Sequence, residues 1–373
     1  MPDPRVSNMA KLLVGYSANI QPGDKVLIEA EPVAEPLVKE IFKYVLLAGG
    51  HPQILITLSG MVSMTGMDEV FYRYAREEQL DYIPPFYQLA YETFDARIRV
   101  HSVSNMNALS NADADASARR RNATGIITQI QFRRGETGEL KWVTTQYPTQ
   151  AFAQGAEMSL DEYEDFLYGA CHADEEDPVA FWKSVQAEQQ GKVDWLNGHD
   201  KVEVRGPNCD FSLSIKDRIF MNSCGRHNMP DGEIFTGPVE DSINGWVHFT
   251  YPAIFSGTEI TDVELQFKDG RVVDAKATKN LDFLLNILDT DAGSRYLGEF
   301  AIGTNFGIQK FTRNILFDEK IGGSIHMALG LGYPETGSKN HSAIHWDMIC
   351  DMGNGAEILV DGDLFYKDGN FVA

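Results

Sequence analysis

His345-Trp346-Asp347 sets two metal-ligand side chains two residues apart. If residues 343–351 form a strand, its period of two turns His345 and Asp347 to one face and Ile344, Trp346 and Met348 to the other. A neutral imidazole beside a carboxylate is an ordinary ligand pair for zinc, cobalt, manganese or ferrous iron. Taken alone the pair is a weak signal, because most such spacings belong to surface or hydrogen-bonded core residues. The neighbouring segments strengthen it. Glu299 sits among Leu297, Phe300, Ala301 and Ile302, and Glu319 lies between Phe317 and Ile321-Gly322-Gly323. A carboxylate expected to be buried needs a partner cation, a metal or a proton. Glu233 follows Asn228-Met229-Pro230-Asp231-Gly232, and His326 lies in a short apolar strand flanked by Gly322-Gly323 and Gly330, where glycines permit close approach.

Five ligand-type side chains on β-elements fit one metal poorly and fit a pair roughly 3.5 to 4 Å apart, the spacing of two-metal hydrolases. Charge agrees. Two divalent cations are balanced by Glu233, Glu299, Asp347 and one hydroxide, with His326 and His345 completing the shell without charge. Glu319 is then free to accept a proton from a water whose pKa has fallen toward roughly 7, and Tyr333 could donate a hydrogen bond to a developing oxyanion. Such a site would hydrolyse an amide or an ester. Serine and single-zinc helical schemes lack their signatures, since neither GxSxG nor HExxH occurs. His341 reads as a solvated loop residue.

Elements must carry these side chains to one place. In the first half a strand at 25–29, a helix at 33–48 and a strand at 53–57 make a βαβ unit, which favours a parallel sheet covered by helices. Helical patterns follow at 67–78 and 111–121, with extended segments at 97–100 and 125–132. Arg119-Arg120-Arg121 reads as a solvated helix C-terminus favoured by the macrodipole. Gly49-Gly50 follows a helix, so it is not a dinucleotide fingerprint. Residues 161–177 hold eight acids and no Lys or Arg, the outer face of an amphipathic helix. Asp177-Pro178 caps another helix, running to about residue 190.

Beyond it the pattern turns to strands, at 202–204, 211–215, 245–250, 259–267, 271–275, 324–329, 344–350 and 357–360, with helices at 281–288 and 313–319. The expected fold is therefore an α/β N-terminal domain with a parallel-type sheet, residues 1–192, and a β-rich α+β C-terminal domain, residues 193–373, carrying the metal site.

The chain of 373 residues, 43% hydrophobic and 23% charged, has the composition of a soluble globular protein. Its formal charge of −22 argues against nucleic-acid and anionic-membrane partners, because phosphates repel such a surface. Met1-Pro2-Asp3-Pro4 does not open like a signal peptide and no run approaches the roughly 18 apolar residues of a membrane span. A cytoplasmic location is expected. Cys171, Cys209, Cys224 and Cys350 are far apart and read as reduced, buried thiols.

The stretches 228–236, 298–305, 316–320, 325–330 and His345-Trp346-Asp347 resemble, in order, motifs of the metalloaminopeptidase family of aminopeptidase T and aminopeptidase S, the thermophilic-type leucyl aminopeptidases. The likeness continues more weakly through the first half. It implies a two-domain enzyme that releases N-terminal amino acids from peptides at a dinuclear zinc, cobalt or manganese site. Glu233, Glu299, His326, His345 and Asp347 match the family's metal ligands, and Glu319 and Tyr333 its catalytic pair. It also implies a homodimer enclosing a cavity. The Glu319 to His326 spacing and the short 333–345 segment depart from the best-known members, which alters the expected substrate choice. Two other readings use the same residues. His326, His345 and Asp347 alone make the 2-His-1-carboxylate triad of a ferrous ring-cleaving dioxygenase. A metal-stabilised binding protein without turnover is the other.

Overall fold

The computed structural model describes residues 3–372; Met1 and Pro2, half of the leader expectation above, lie outside them. Two compact units divide the chain. One holds the residues up to Phe181 together with Gly225–Pro230, the other Trp182–Cys224 together with the residues from Asp231 onward. The Pro178–Leu196 helix contains both this division and the change of composition near residue 193 where we propose the domain boundary.

The first unit is built on a five-stranded parallel sheet in the order His51–Ile56, Lys25–Ala30, Ala96–His101, Lys141–Gln146, Asn228–Met229. Val26, Ile28, Ile98 and Val143 are fully buried in it, as a sheet covered on both faces requires. The expected extended segment 125–132 is instead part of a long helix, Ala114–Glu136. Its β-branched Ile126-Ile127-Thr128 run has strand propensity, but Ile127 and Ile130 bury against Leu27, Tyr87, Ala90 and Tyr91, and that packing decides the outcome. The same helix overturns the reading of Arg119 to Arg121 as a helix end. Arg120 lies inside it, fully buried, and its guanidinium donates to the carbonyls of Ser63, Leu80 and Tyr82.

The second unit stacks two antiparallel sheets. The larger has eight strands, from Arg271–Lys276 through Asn244–His248, Cys209–Ser214 and Lys201–Gly206 to Asn370–Phe371. The smaller runs His345–Asp351, Ser324–Gly330, Leu297–Gly303, Glu233–Thr236, Met221–Ser223. Phe300, Ile302, Met327, Trp346 and Met348 from the small sheet enter one core with Phe211, Val247 and Leu265 from the large one. The expected single strand at 259–267 is two, Thr258–Ile260 and Glu264–Lys268, broken where Asp262 takes a left-handed φ of 54°. The expected helix at 313–319 shrinks to Ile315–Asp318, because Arg313 is left-handed and Asn314 caps Leu316 N–H. All four cysteines are buried and none is in a disulfide. No described helix is long and apolar enough to cross a membrane.

Candidate metal centre

Alternation along the small sheet builds the site. Phe300, Ile302, Met327, Trp346 and Met348 face the core, so Glu299, His326, His345 and Asp347, at the intervening positions, share the opposite face. Cross-strand register fixes their spacing. Glu299 pairs with Ala328, which pairs with Asp347, so on one cross-strand row a single small side chain stands between two carboxylates. His326 pairs with Ala301, another small residue, and Glu233 opens the next strand opposite Gly303.

Two glycines bring in the remaining parts. A Cβ on Gly303 would meet the Ile321 carbonyl at 2.2 Å, so glycine is needed for the Lys320-Ile321 segment to pass beside Glu233. A Cβ on Gly298 would likewise meet the Leu331 carbonyl at 2.2 Å, next to the register shift that presents Glu299.

The resulting distances are short. His326 Nε2 lies 3.3 Å from Glu233 Oε2 and 3.6 Å from Glu299 Oε1, while His345 Nε2 lies 3.3 Å from Glu299 Oε2 and 3.6 Å from Asp347 Oδ2. Glu299 therefore gives one oxygen to each imidazole. Ligand atoms fall into two overlapping groups, Glu233 with Glu299 and His326, and Glu299 with His345 and Asp347, each within 4.8 Å. Glu319 joins His326 and Asp347 in a third. Among the described residues His341 enters none of these groups.

Electrostatics shows how uncomfortable the cluster is without added cations. Burial pushes Glu233 up to about 8 and Asp347 up to about 6, even though Lys320 and His345 respectively pull them down. Burial also works against imidazolium, yet the surrounding carboxylates outweigh it and raise His326 and His345 to about 10. Burial would lift Glu299 as well, but the two histidines hold it down at about 2. The buried oxygens Glu233 Oε2 and Asp347 Oδ1 make no hydrogen bond. Carboxylate and imidazole donors, surplus negative charge and unsatisfied oxygens are together what a site for divalent cations requires. His345 is already set for it, because its Nδ1 lies 2.7 Å from the Leu331 carbonyl, which fixes the tautomer leaving Nε2 toward the carboxylates.

Tyr333, the remaining predicted residue, is part-exposed at the rim. Its ring centre is 5.2 Å from that of His345 and 5.5 Å from Phe235, and burial followed by the carboxylates Glu299 and Asp347 holds its hydroxyl well above the usual tyrosine range. Residue patterns missed Lys320 and Asp231. Lys320 is fully buried, paired with Glu319, 3.2 Å from Glu233 Oε1 and 4.0 Å from Asp231. In sequence it is merely the third charge of Asp318-Glu319-Lys320, which looks like a surface turn.

Comparison with known proteins agrees with this geometry. The family model described as thermophilic metalloprotease (M29) matches residues 3–371. Aminopeptidase 2 of Geobacillus stearothermophilus is 28% identical, with 96% of this chain and 94% of that protein aligned. Aminopeptidase AmpS of Bacillus subtilis is 26% identical over 88% of this chain and 84% of its own length. In fold, the chain superposes on wild-type AmpT from Thermus thermophilus with a TM-score of 0.85, covering 99% of both chains at 21% identity. The α/β first half and β-rich second half expected from sequence are those of this chain. With its fold, its carboxylate and imidazole cluster and a family match over nearly its whole length, the chain belongs to the thermophilic metalloprotease (M29) family.

Proposed function

We propose that the protein is a dinuclear metal-dependent aminopeptidase, and the observation that carries the dinuclear reading is Glu299, whose two oxygens face two different imidazoles. The hydrolase class follows from the family and its relatives named as aminopeptidases. Glu233, Glu299 and His326 would hold one ion, and Glu299, His345 and Asp347 the other. When bound, zinc, cobalt or manganese ions would supply Lewis acidity toward a peptide carbonyl and acidify a water.

The chain's own residues do the rest. Glu319 takes the proton of the attacking water as its oxygen bonds to the carbonyl carbon, then returns a proton to the nitrogen as the C–N bond breaks. Lys320 grips Glu319 and holds it in place, and its charge balances one of the five carboxylates Asp231, Glu233, Glu299, Glu319 and Asp347. Tyr333, kept protonated at the rim, donates to the developing oxyanion. The substrate is a peptide with a free N-terminus, as the relatives' names imply.

A mononuclear iron reading leaves Glu233 and Glu299 as buried carboxylates without work, and a binding-only reading leaves the Glu319–Lys320 pair without a role. Two further statements belong to this proposal. Four buried cysteines outside any disulfide suit a reducing cytoplasm, and a homodimer is supported by exposed Ile54 and Ile56 on the edge strand His51–Ile56, beside exposed Leu58. The deciding experiment combines metal analysis with aminoacyl-anilide hydrolysis before and after chelation. Two metals per chain and activity restored by metal support the proposal; one tightly held iron with oxygen uptake overturns it.

A further inference from the structure

We propose that the first unit contains a second ligand site, a crevice that takes a primary ammonium group carried on a small apolar body. The parallel sheet places it. Strand order runs second, first, third, fourth, so the connections leaving Lys25–Ala30 and Ala96–His101 depart to opposite sides and their carboxyl ends leave a gap. Open parallel sheets bind ligands at such a reversal. Here the gap is a cavity of about 280 Å³, room for about nine groups the size of water.

Its lining selects the ligand. Glu31 and Ser102, the residues that follow the two strands, line it together with the apolar Val33, Leu58 and Met106. Glu69 and Asp68 add acidity, and no Lys or Arg lines it, which disfavours phosphates and carboxylates. Glu31 is 4% exposed; its Oε2 accepts from Ser102 N–H at 2.7 Å and from Ser102 Oγ at 3.0 Å, whereas its buried Oε1 makes no hydrogen bond. Burial also raises the Glu31 carboxyl, so a cation arriving there is favoured. Arg97 and Arg99, the nearby guanidiniums, are engaged by Glu29 Oε2. An ammonium brings up to three donors to the unbonded oxygen and Ser102, and a short alkyl body covers Val33 and Leu58. The site lies wholly in the first unit and is independent of the peptidase reading.

The test is calorimetric titration of the metal-loaded full-length protein with n-pentylamine, n-pentanol and valerate. Saturable binding of the amine, at least about tenfold tighter than of the alcohol or the acid, is expected. Glu31→Gln and Val33→Lys, the latter at a position 48% exposed, should each remove it while leaving aminoacyl-anilide turnover unchanged. Titrating a tetrapeptide into Glu319→Gln protein, with and without Val33→Lys, separates peptide N-termini from free amines as the source. The proposal fails if pentanol binds as well as pentylamine, if nothing saturates below about 10 mM, or if Val33→Lys binds the amine as the parent does. Because Val33 is at the rim, that last result is decisive even if Glu31→Gln does not fold.

Discussion

In the first unit fully buried Glu29 faces Arg97 at 2.5 Å and Arg99 at 3.1 Å; in the second, Glu233, Glu299 and Asp347 face one another with Lys320 as the permanently charged partner. Both are buried charge on the middle of a sheet, yet the sign of the imbalance differs. One carboxylate against two guanidiniums is settled from within the chain, and although burial opposes it, Glu29 falls to about 2. Several carboxylates around one ammonium are not, so burial, helped by the neighbouring carboxylates, lifts Glu233 and Asp347, and the histidines take up protons to compensate. Unbonded atoms do not discriminate, since Glu29 Oε1 also lacks a hydrogen bond. Surplus negative charge with imidazoles aimed into it is what marks a metal centre, and it marks one of the two clusters.

The comparison is broken most directly at Glu299. Glu299→Ala should abolish binding of both metals and reduce peptidase activity to background, read by mass-spectrometric metal content after dialysis; retention of two ions per chain refutes the bridging assignment. Next comes Glu319→Gln, expected to keep both metals and lower kcat by roughly 10²- to 10⁴-fold, the usual worth of a general base. Wild-type kcat with the variant would end that assignment.

How much of this contrast was legible beforehand follows from the physics. Period-two alternation identified His345 and Asp347 against Trp346 and Met348, and the structure keeps that split. The Leu297–Gly303 strand is buried at every position, so no alternation announces it, and Glu299 was found through its apolar neighbours instead. Lys320 was invisible because its burial depends on Gly303, in a strand far off in sequence, admitting the backbone beside it. Arg120 was misread for the same kind of reason: its acceptors are the carbonyls of Ser63, Leu80 and Tyr82, which no local pattern could supply.

Titration should pull the two units in opposite directions. The Glu29 carboxyl is lowered from 4.5 to about 2, so its stabilisation is complete above pH 4.5 and is lost as pH falls toward 2, a loss of about 3 kcal/mol. Hydrogen exchange of the sheet around Lys25–Ala30 should show that acid loss, and Glu29→Gln should flatten it. In metal-free protein His326 and His345 are raised from 6.5 to about 10, so their contribution is complete below pH 6.5 and is lost as pH rises toward 10. Protection factors in the Ser324–Gly330 and His345–Asp351 strands of metal-free protein, which already correct for base-catalysed exchange, should therefore fall at alkaline pH, and metal should abolish the fall. The same protons, together with the one that Glu233 holds at neutral pH when raised to about 8, predict that loading releases roughly three protons, measured by calorimetry in buffers of different ionisation enthalpy. Release of none would mean the histidines are neutral before metal arrives, and the imbalance described for this cluster would be wrong.

The smallest effect tests how the metal-side carboxylate is held. Gln189, buried on the Pro178–Leu196 helix, donates to Asn222 Oδ1 at 2.8 Å and to the carbonyls of Ser223 and Glu233 at 2.9 Å, and accepts from Thr304 Oγ1 at 2.9 Å. One amide thus ties the start of the Glu233–Thr236 strand to its neighbour and to the end of Leu297–Gly303. Gln189→Ala removes the tie without touching a ligand atom, so Glu233 should keep its identity and lose its aim. Weakening of metal affinity by about tenfold is expected, the lower range for residues that orient ligands, with the ion beside Glu233 released first. Because Glu299, His345 and Asp347 have no bond to Gln189, the other ion should be held as before, and a chelator titration should resolve two steps where the parent shows them closer together. Equal weakening of both ions would instead locate the role of Gln189 in general packing, with no special claim on Glu233.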